Sequence, residues 1–226
     1  TAMNRGAFDS LTKAIDCQDL AITREKALAH LRSLRERARL ERERDELEER
    51  ARFVRETFGR YLDDAVVQTL LDEPEGLRLG GEKREISILM SDLRGFTSLC
   101  ERLPPETIVS LLNGYFGAMT EIVLEHGGTI DELLGDAMLV IFGAPLARPG
   151  HADQAVSCAI AMQRAMDAVN ERSAAQGLPR LEMGIAINTG EAVVGNIGSH
   201  QRTKYGVVGS HVNLTARIEA LTVGHQ

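Results

Sequence analysis

Tryptophan is absent from this sequence, and only 4% of its 226 residues are aromatic. Proteins that hold single-stranded nucleic acid stack bases on aromatic rings, and this chain has few to offer. Positive charge is not in excess either: 26 Lys and Arg stand against 33 Asp and Glu, for a formal net charge of -7. That balance repels a phosphate backbone, so no nucleic-acid partner is expected. Cysteine is scarce. Cys17, Cys100 and Cys158 are scattered, with neither paired nor zinc-like spacing. This excludes a disulfide framework and fits inert thiols in a reducing compartment. No apolar run approaches membrane-spanning length and no signal peptide opens the sequence, so a soluble, cytoplasmic chain without a membrane partner is expected. What is present is ordinary: 43% hydrophobic and 26% charged residues, enough for one good domain plus an appendage.

Three zones follow along the chain. Residues 1–36 open with "AFDSLTKAID", read as a strand and a loop, then a helix with Leu20, Ala27, Leu31 and Leu34 on one stripe. One strand and one helix cannot bury a core alone, so this piece reads as the tail of a larger domain. The plain alternative is an amphipathic N-terminal helix. Residues 37–72, with "RERARLERERDELEERARFVRETFGRYL", are nearly all strong helix formers. Leu40, Leu47 and Val54 recur every seven residues, and Ala51 and Phe58 supply the other seam position, which Arg44 interrupts. This pattern predicts a parallel coiled coil of irregular register; a solvated single helix is the alternative. Pro74 and three glycines mark residues 73–84 as a linker.

Residues 85–226 read as the main domain. "REISILMSDLRG" is a strand ending in a polar turn, and "PPETIVSLLNGYFGAMTEIVLEHGG" a helix with Pro at its start and Gly after its end. "TIDELLGDAMLVIFGAP" is a hairpin. "HADQAVSCAIAMQRAMDAVNERSAAQG" is a second helix with Ala155, Ala159, Met162 and Met166 at helical spacing, and "RLEMGIAINTGEAVVGNIG" a further strand. The order βαββαβ describes an α+β, ferredoxin-like sandwich behind an N-terminal long helix. "YGVVGSHVNLTARIEAL" adds a strand and a helix opened by Ser210.

The hairpin poses the question of function, because Asp131, Glu132 and Asp136 sit among Ile130, Leu133, Leu134 and Met138. Carboxylates among apolar side chains are costly unless something pairs with them. Asp92 ends the first strand, and in this topology the first and third strands are neighbours, so Asp92 and Asp136 can converge. Two close carboxylates call for a cation between them, and hard oxygen ligands suit Mg²⁺ or Mn²⁺. Gly95 and Gly135 allow backbone to come close, and Phe96 and Thr97 begin an element whose N–H groups can face phosphate. Two solvated turn aspartates are the plain alternative. Asn213 and Arg217, four apart on the last helix, project from one face and suit a sugar and a phosphate, or simply solvent. The Gly-rich "GEAVVGNIGS" lacks the ending of a P-loop, and none of the six His has metal-ligand spacing.

Four segments in order, "ILMSDLRGFTSL", "IDELLGDAMLVIFGAP", "GIAINTGEAVVGNIGS" and "YGVVGSHVNLTARIE", together resemble class III nucleotide cyclases from about Arg84 onward. The resemblance implies a head-to-tail homodimer with sites shared across the interface, acting on a nucleoside triphosphate with two Mg²⁺ or Mn²⁺ ions. It matches Asp92 and Asp136 to the metal aspartates and Leu93 to a carbonyl that helps hold one ion. It matches Asn213 and Arg217 to the transition-state pair of the opposite chain, and Arg202 to a phosphate-binding position. Glu132 matches the residue that reads the purine, where Lys marks adenylyl cyclases and Glu guanylyl cyclases. Gly206 falls at the second base-reading position, where Asp would serve adenine. Asp131 gains no role beyond capping the turn. The implied reaction is attack of the ribose 3′-OH on the α-phosphate, making cyclic GMP; an adenylyl cyclase, or a nucleotide-binding module without turnover, are the alternatives. The N-terminal piece resembles the end of a two-component receiver domain, with Lys13 in place and Ala14 where Pro is usual. The family continues past "LTVGHQ" with strands bearing a phosphate-binding Lys, so a C-terminally incomplete domain is expected.

Overall fold

In "EISILMSDL" apolar residues occupy both faces of a strand, and such a segment is stable only inside a sheet covered on both sides. The computed structural model of the chain describes residues 17–58, 79–199 and 201–225, and excludes the side chains of 17–21, 51 and 53–58. In it this segment ends β1 (Gly80–Leu93). Then come α2 (Phe96–Cys100), α3 (Pro105–Glu125), β2 (Thr129–Leu134), β3 (Ala137–Phe142), α4 (His151–Ala175), β4 (Met183–Ser199), β5 (Arg202–Val208) and α5 (Ser210–Glu219). This is the βαββαβ order read from the sequence, extended by β5 and α5. The five strands form one sheet in the order β2-β3-β1-β4-β5, with every pairing antiparallel.

Successive side chains of β1 point to opposite faces. Leu89 and Leu93 join Tyr115, Met119 and Val123 of α3 and Met162 and Met166 of α4 in one core. Ile86 and Ile88 join Leu139, Ile141, Ala192 and Val194 on the other face, where Met90 and Val212 also pack. Asp92 has the parity of Ile88 and Met90. Its carboxylate therefore lies on the face away from α3 and α4. Polar pairs fix the helix-side face: Ser91 and the Tyr115 hydroxyl lie 3.2 Å apart, and that hydroxyl donates to Met183 Sδ at 3.2 Å.

Helix α3 has the length and hydropathy of a membrane-spanning segment, contrary to the reading that no apolar run approaches one. Its face of Leu111, Tyr115, Met119 and Val123 is instead buried in the core. Cys158 is buried, which pushes its thiol up to about 12, as expected of an inert thiol; Cys100 is exposed. The predicted linker 73–84 overlaps β1, because Gly80 pairs with Asn196 and Gly81 with Gly195. The glycines that look like breakers allow close approach: a Cβ at Gly81 would stand 2.8 Å from the Val194 carbonyl oxygen.

The chain divides into two units, Thr1–Phe58 and Gly59–Gln226. In the first, α1 (Cys17–Phe58) is one helix, unbroken across the expected boundary at 36/37. Leu28, Leu31, Leu34, Leu40 and Leu47 are exposed along it. The predicted first strand, Lys13, Ala14 and Pro74 lie outside the described residues.

Buried Asn170 of α4 steadies the start of β4, and with it the strand beside Asp92. Its Nδ2 donates to the Leu181 carbonyl at 2.9 Å, and its Oδ1 accepts from the Leu181 N–H at 2.7 Å. Asn170→Ala leaves both backbone groups buried without a partner. A loss of roughly 2–4 kcal/mol is expected, read as a lower urea midpoint at unchanged slope.

Candidate active site

The β1–β3 register sets the first half of the site. Ser91 lies opposite Met138, so Asp92 comes opposite Ala137, and Leu93 comes beside Asp136 in the β2–β3 turn. The turn is Gly135–Asp136, with Gly135 at φ 65, a conformation that glycine adopts without strain. The Leu93 N–H donates to Asp136 Oδ2 at 3.2 Å. Burial and the nearby Asp136 raise the Asp92 carboxyl above its ordinary range, and Arg94 opposes them. Burial likewise raises Asp136, against the backbone N–H groups that it accepts from. The structure thus brings the two predicted metal aspartates together, each better suited to a bound cation than to standing alone.

Among the described residues no group of three or more His, Cys, Asp or Glu side chains is arranged to hold a metal ion. Two carboxylates and the nearby Leu93 carbonyl are the donors on hand. That set fits Mg²⁺ or Mn²⁺, which keep several waters and take the remaining ligands from substrate phosphates.

Arg94 did not stand out in the sequence. Its Nη1 lies 3.8 Å from Asp92 Oδ1. Its Nη2 donates to the Glu219 carbonyl at 3.0 Å and to Thr222 Oγ1 at 2.7 Å, and pairs with the buried Glu219 carboxylate. This guanidinium fastens the end of β1 to the end of α5 across 125 positions of sequence, a separation no local motif can reveal.

A second cluster forms at the sheet's edges. Strands β2 and β5 are outermost on opposite sides, yet the sheet curls until they touch. Lys204 Nζ of β5 lies 2.9 Å from Glu132 Oε2 and 3.3 Å from Asp131 Oδ2. Gly206, two residues along the same face of β5, is buried behind it. The structure therefore brings Lys204, which the sequence did not single out, to the predicted Glu132, and sets the predicted Gly206 beside Asp131 and Lys204. Asp131 is not a turn cap. It is the extra residue of a β-bulge in β2, and its side chain is only 4% exposed.

The other candidates lie apart. Asn213 and Arg217 are exposed one turn apart on α5. Arg202 is exposed at the tip of the β4–β5 hairpin, opposite Ser199. The Phe96 side chain belongs to the core, so only its backbone is free for a phosphate, while Thr97 is exposed.

Comparison with known proteins gives a consistent result. The family described as "Adenylate and Guanylate cyclase catalytic domain" matches residues 81–226. Adenylate cyclase 1 of Rhizobium meliloti (strain 1021) is 33% identical over 172 residues, which are 76% of this chain and 26% of that protein. The chain thus spans about a quarter of that relative's length. The solved structure of the guanylyl cyclase Cya2 is 58% identical, with a TM-score of 0.63 over 65% of this chain and 74% of that one. The adenylyl cyclase CyaB from P. aeruginosa is 39% identical, with a TM-score of 0.63 over 65% and 76% of the two chains. With the matched residues covering β1 to α5 and both aspartates of the β1–β3 junction, the chain belongs to the adenylate and guanylate cyclase catalytic domain family.

Proposed function

We propose that the chain is a guanylyl cyclase, converting GTP to cyclic GMP and pyrophosphate in a homodimer whose sites are shared between copies. The observation that carries the base assignment is the contact of Glu132 with Lys204. The edge of guanine presents an acceptor at O6 and donors at N1 and the exocyclic amine. A carboxylate beside an ammonium complements that edge, with Glu132 accepting from the two donors and Lys204 donating to O6. Adenine presents its amine and its N1 acceptor in the reverse sense. The 58% identity to a protein named as a guanylyl cyclase supports the same reading. Relatives named as adenylate cyclases keep the adenylyl reading as the competitor.

Asp92, Asp136 and the Leu93 carbonyl are the residues that would hold two Mg²⁺ or Mn²⁺ ions. Those ions supply a lowered pKa for the ribose 3′-OH and neutralise charge on the triphosphate. Asn213 orients the ribose for in-line attack on the α-phosphate. Arg217 stabilises the charge that develops there, as a planar guanidinium does well. The backbone of Phe96 and Thr97, with Arg202, receives the leaving phosphates. Asn213 and Arg217 come from the second copy. Exposed Val193, Ile197, Val208, Leu214 and Ile218 on β4, β5 and α5 supply apolar surface for such an interface. Helix α1 pairs with the same helix of a second copy as a coiled coil along Leu40, Leu47 and Val54, carrying a signal from a receiver-like segment in a cytoplasmic protein.

Mixing an Asp92→Ala chain with an Arg217→Ala chain should restore about one working site per heterodimer, while each alone is inactive. No recovery in demonstrated heterodimers would contradict shared sites. For the base, two charge-assisted hydrogen bonds supply a GTP preference of roughly 30- to 1000-fold in kcat/KM. Glu132→Lys should abolish most of that preference, with the loss falling on GTP. An unmutated enzyme that prefers ATP would hand the assignment to the adenylyl reading.

A further inference from the structure

The three charged residues of the β2–β5 cluster are not equivalent. In a regular strand consecutive side chains point to opposite faces, so one ammonium could not meet both Asp131 and Glu132. The bulge changes this. Ile130 pairs with Val140 and Glu132 with Leu139, and Asp131 is the residue left over. Both acids then reach Lys204 Nζ. Glu132 and Lys204 are each 43% exposed, at the front of the cluster, while the Asp131 side chain is 4% exposed behind them.

Asp131 uses only one of its oxygens. Oδ2 accepts from Lys204, and Oδ1 is buried without a hydrogen-bond partner. That orphan oxygen lies 3.2 Å from where a Cβ at position 206 would stand, with Lys204 Cε 3.7 Å away. Gly206 has no left-handed backbone that would demand glycine; what a side chain there would meet is Asp131.

We infer that Asp131 is a specificity-determining positioning residue, which takes the space of a side chain at 206 and holds Lys204 beside Glu132. This rests on the reading of Glu132 and Gly206 as base-facing positions. The second carboxylate that the resemblance places on β5 to serve adenine is here supplied from β2, turned inward and spent on an ammonium. One bulge thereby excludes a side chain at 206 and sets a donor next to an acceptor at the base edge. The adenine pair, Lys at 132 with Asp at 206, cannot be installed while Asp131 remains, because an Asp at 206 would set carboxylate against unpartnered carboxylate oxygen.

The test is a cycle in the full-length protein of Gly206→Asp, Asp131→Ala and the two together. Gly206→Asp should lower the Tm by about 3 °C or more in the unmutated background and by much less beside Asp131→Ala. Additive shifts would overturn the inference. Asp131→Asn keeps the shape and removes the charge. It should raise the KM for GTP and lower the GTP-over-ATP ratio about tenfold with little change in kcat, which a merely structural role would not do. An unchanged ratio would overturn it. Glu132→Lys with Gly206→Asp should gain ATP use only once Asp131→Ala is added, and equal gain without it counts against the inference. An ATP preference in the unmutated protein overturns the guanylyl reading, whereas the melting cycle decides the Asp131–Gly206 coupling by itself.

Discussion

The antiparallel pairing of β1 with β3 places Asp92 and Asp136 at one end of the sheet, on the face away from α3 and α4, and the rest of the site is built outward from that junction. The pairing is enforced from both faces. Leu89 and Leu93 are locked against α3 and α4, and Ile86 and Ile88 into the second core. A shift of one residue would bury Asp92 among Tyr115, Met119 and Met162 and expose Leu93, so the register is strongly specified. The energetic consequence is local strain of an electrostatic kind. Burial raises the proton affinity of both carboxylates and Asp136 raises that of Asp92 further, with Arg94 and the backbone N–H groups of Leu93 and Asp136 as partial relief. A divalent cation relieves the same strain more fully. Two carboxylates held this close suit a hard divalent cation between them.

From this junction two connections run outward. Arg94 ties the end of β1 to Glu219 and Thr222, so the helix bearing Asn213 and Arg217 is fastened to the strand bearing Asp92. The β2–β3 hairpin that carries Asp136 in its turn carries Glu132 on its outer strand. One hairpin thus holds a carboxylate of the β1–β3 junction at its tip and a carboxylate of the β2–β5 cluster along its edge. Curling of the sheet brings β5 to that edge, where Lys204 meets Glu132 and, 73 positions away, Asp131.

Most of the fold was legible because its signals are local. Pro105 at the start of α3, Gly127 after its end, and alternation through the hairpin gave the elements in order. The aspartate pair was legible because strand order follows from βαββαβ connectivity and both residues end or join neighbouring strands. Arg94 and Lys204 were not, since each acquires its meaning from a partner 73 or 125 positions off. Asp131 was misread for a physical reason: a bulge breaks the two-residue period on which face assignment rests, and no glycine or proline announces it. The start of β1 was hidden by Gly80 and Gly81, which pair with β4, Gly81 in close contact with Val194, rather than breaking a strand.

The central claim is that Asp92 and Asp136 form one cation site. Thermal melts with and without Mn²⁺ test it without dependence on turnover. The account predicts that saturating Mn²⁺ raises the Tm of the unmutated protein by about 5 °C or more, and that Asp92→Asn or Asp136→Asn abolishes the rise. Without metal, Asp92→Asn should melt no lower than the unmutated protein, because it removes the repulsion. An equal Mn²⁺ shift in all three proteins would contradict the account.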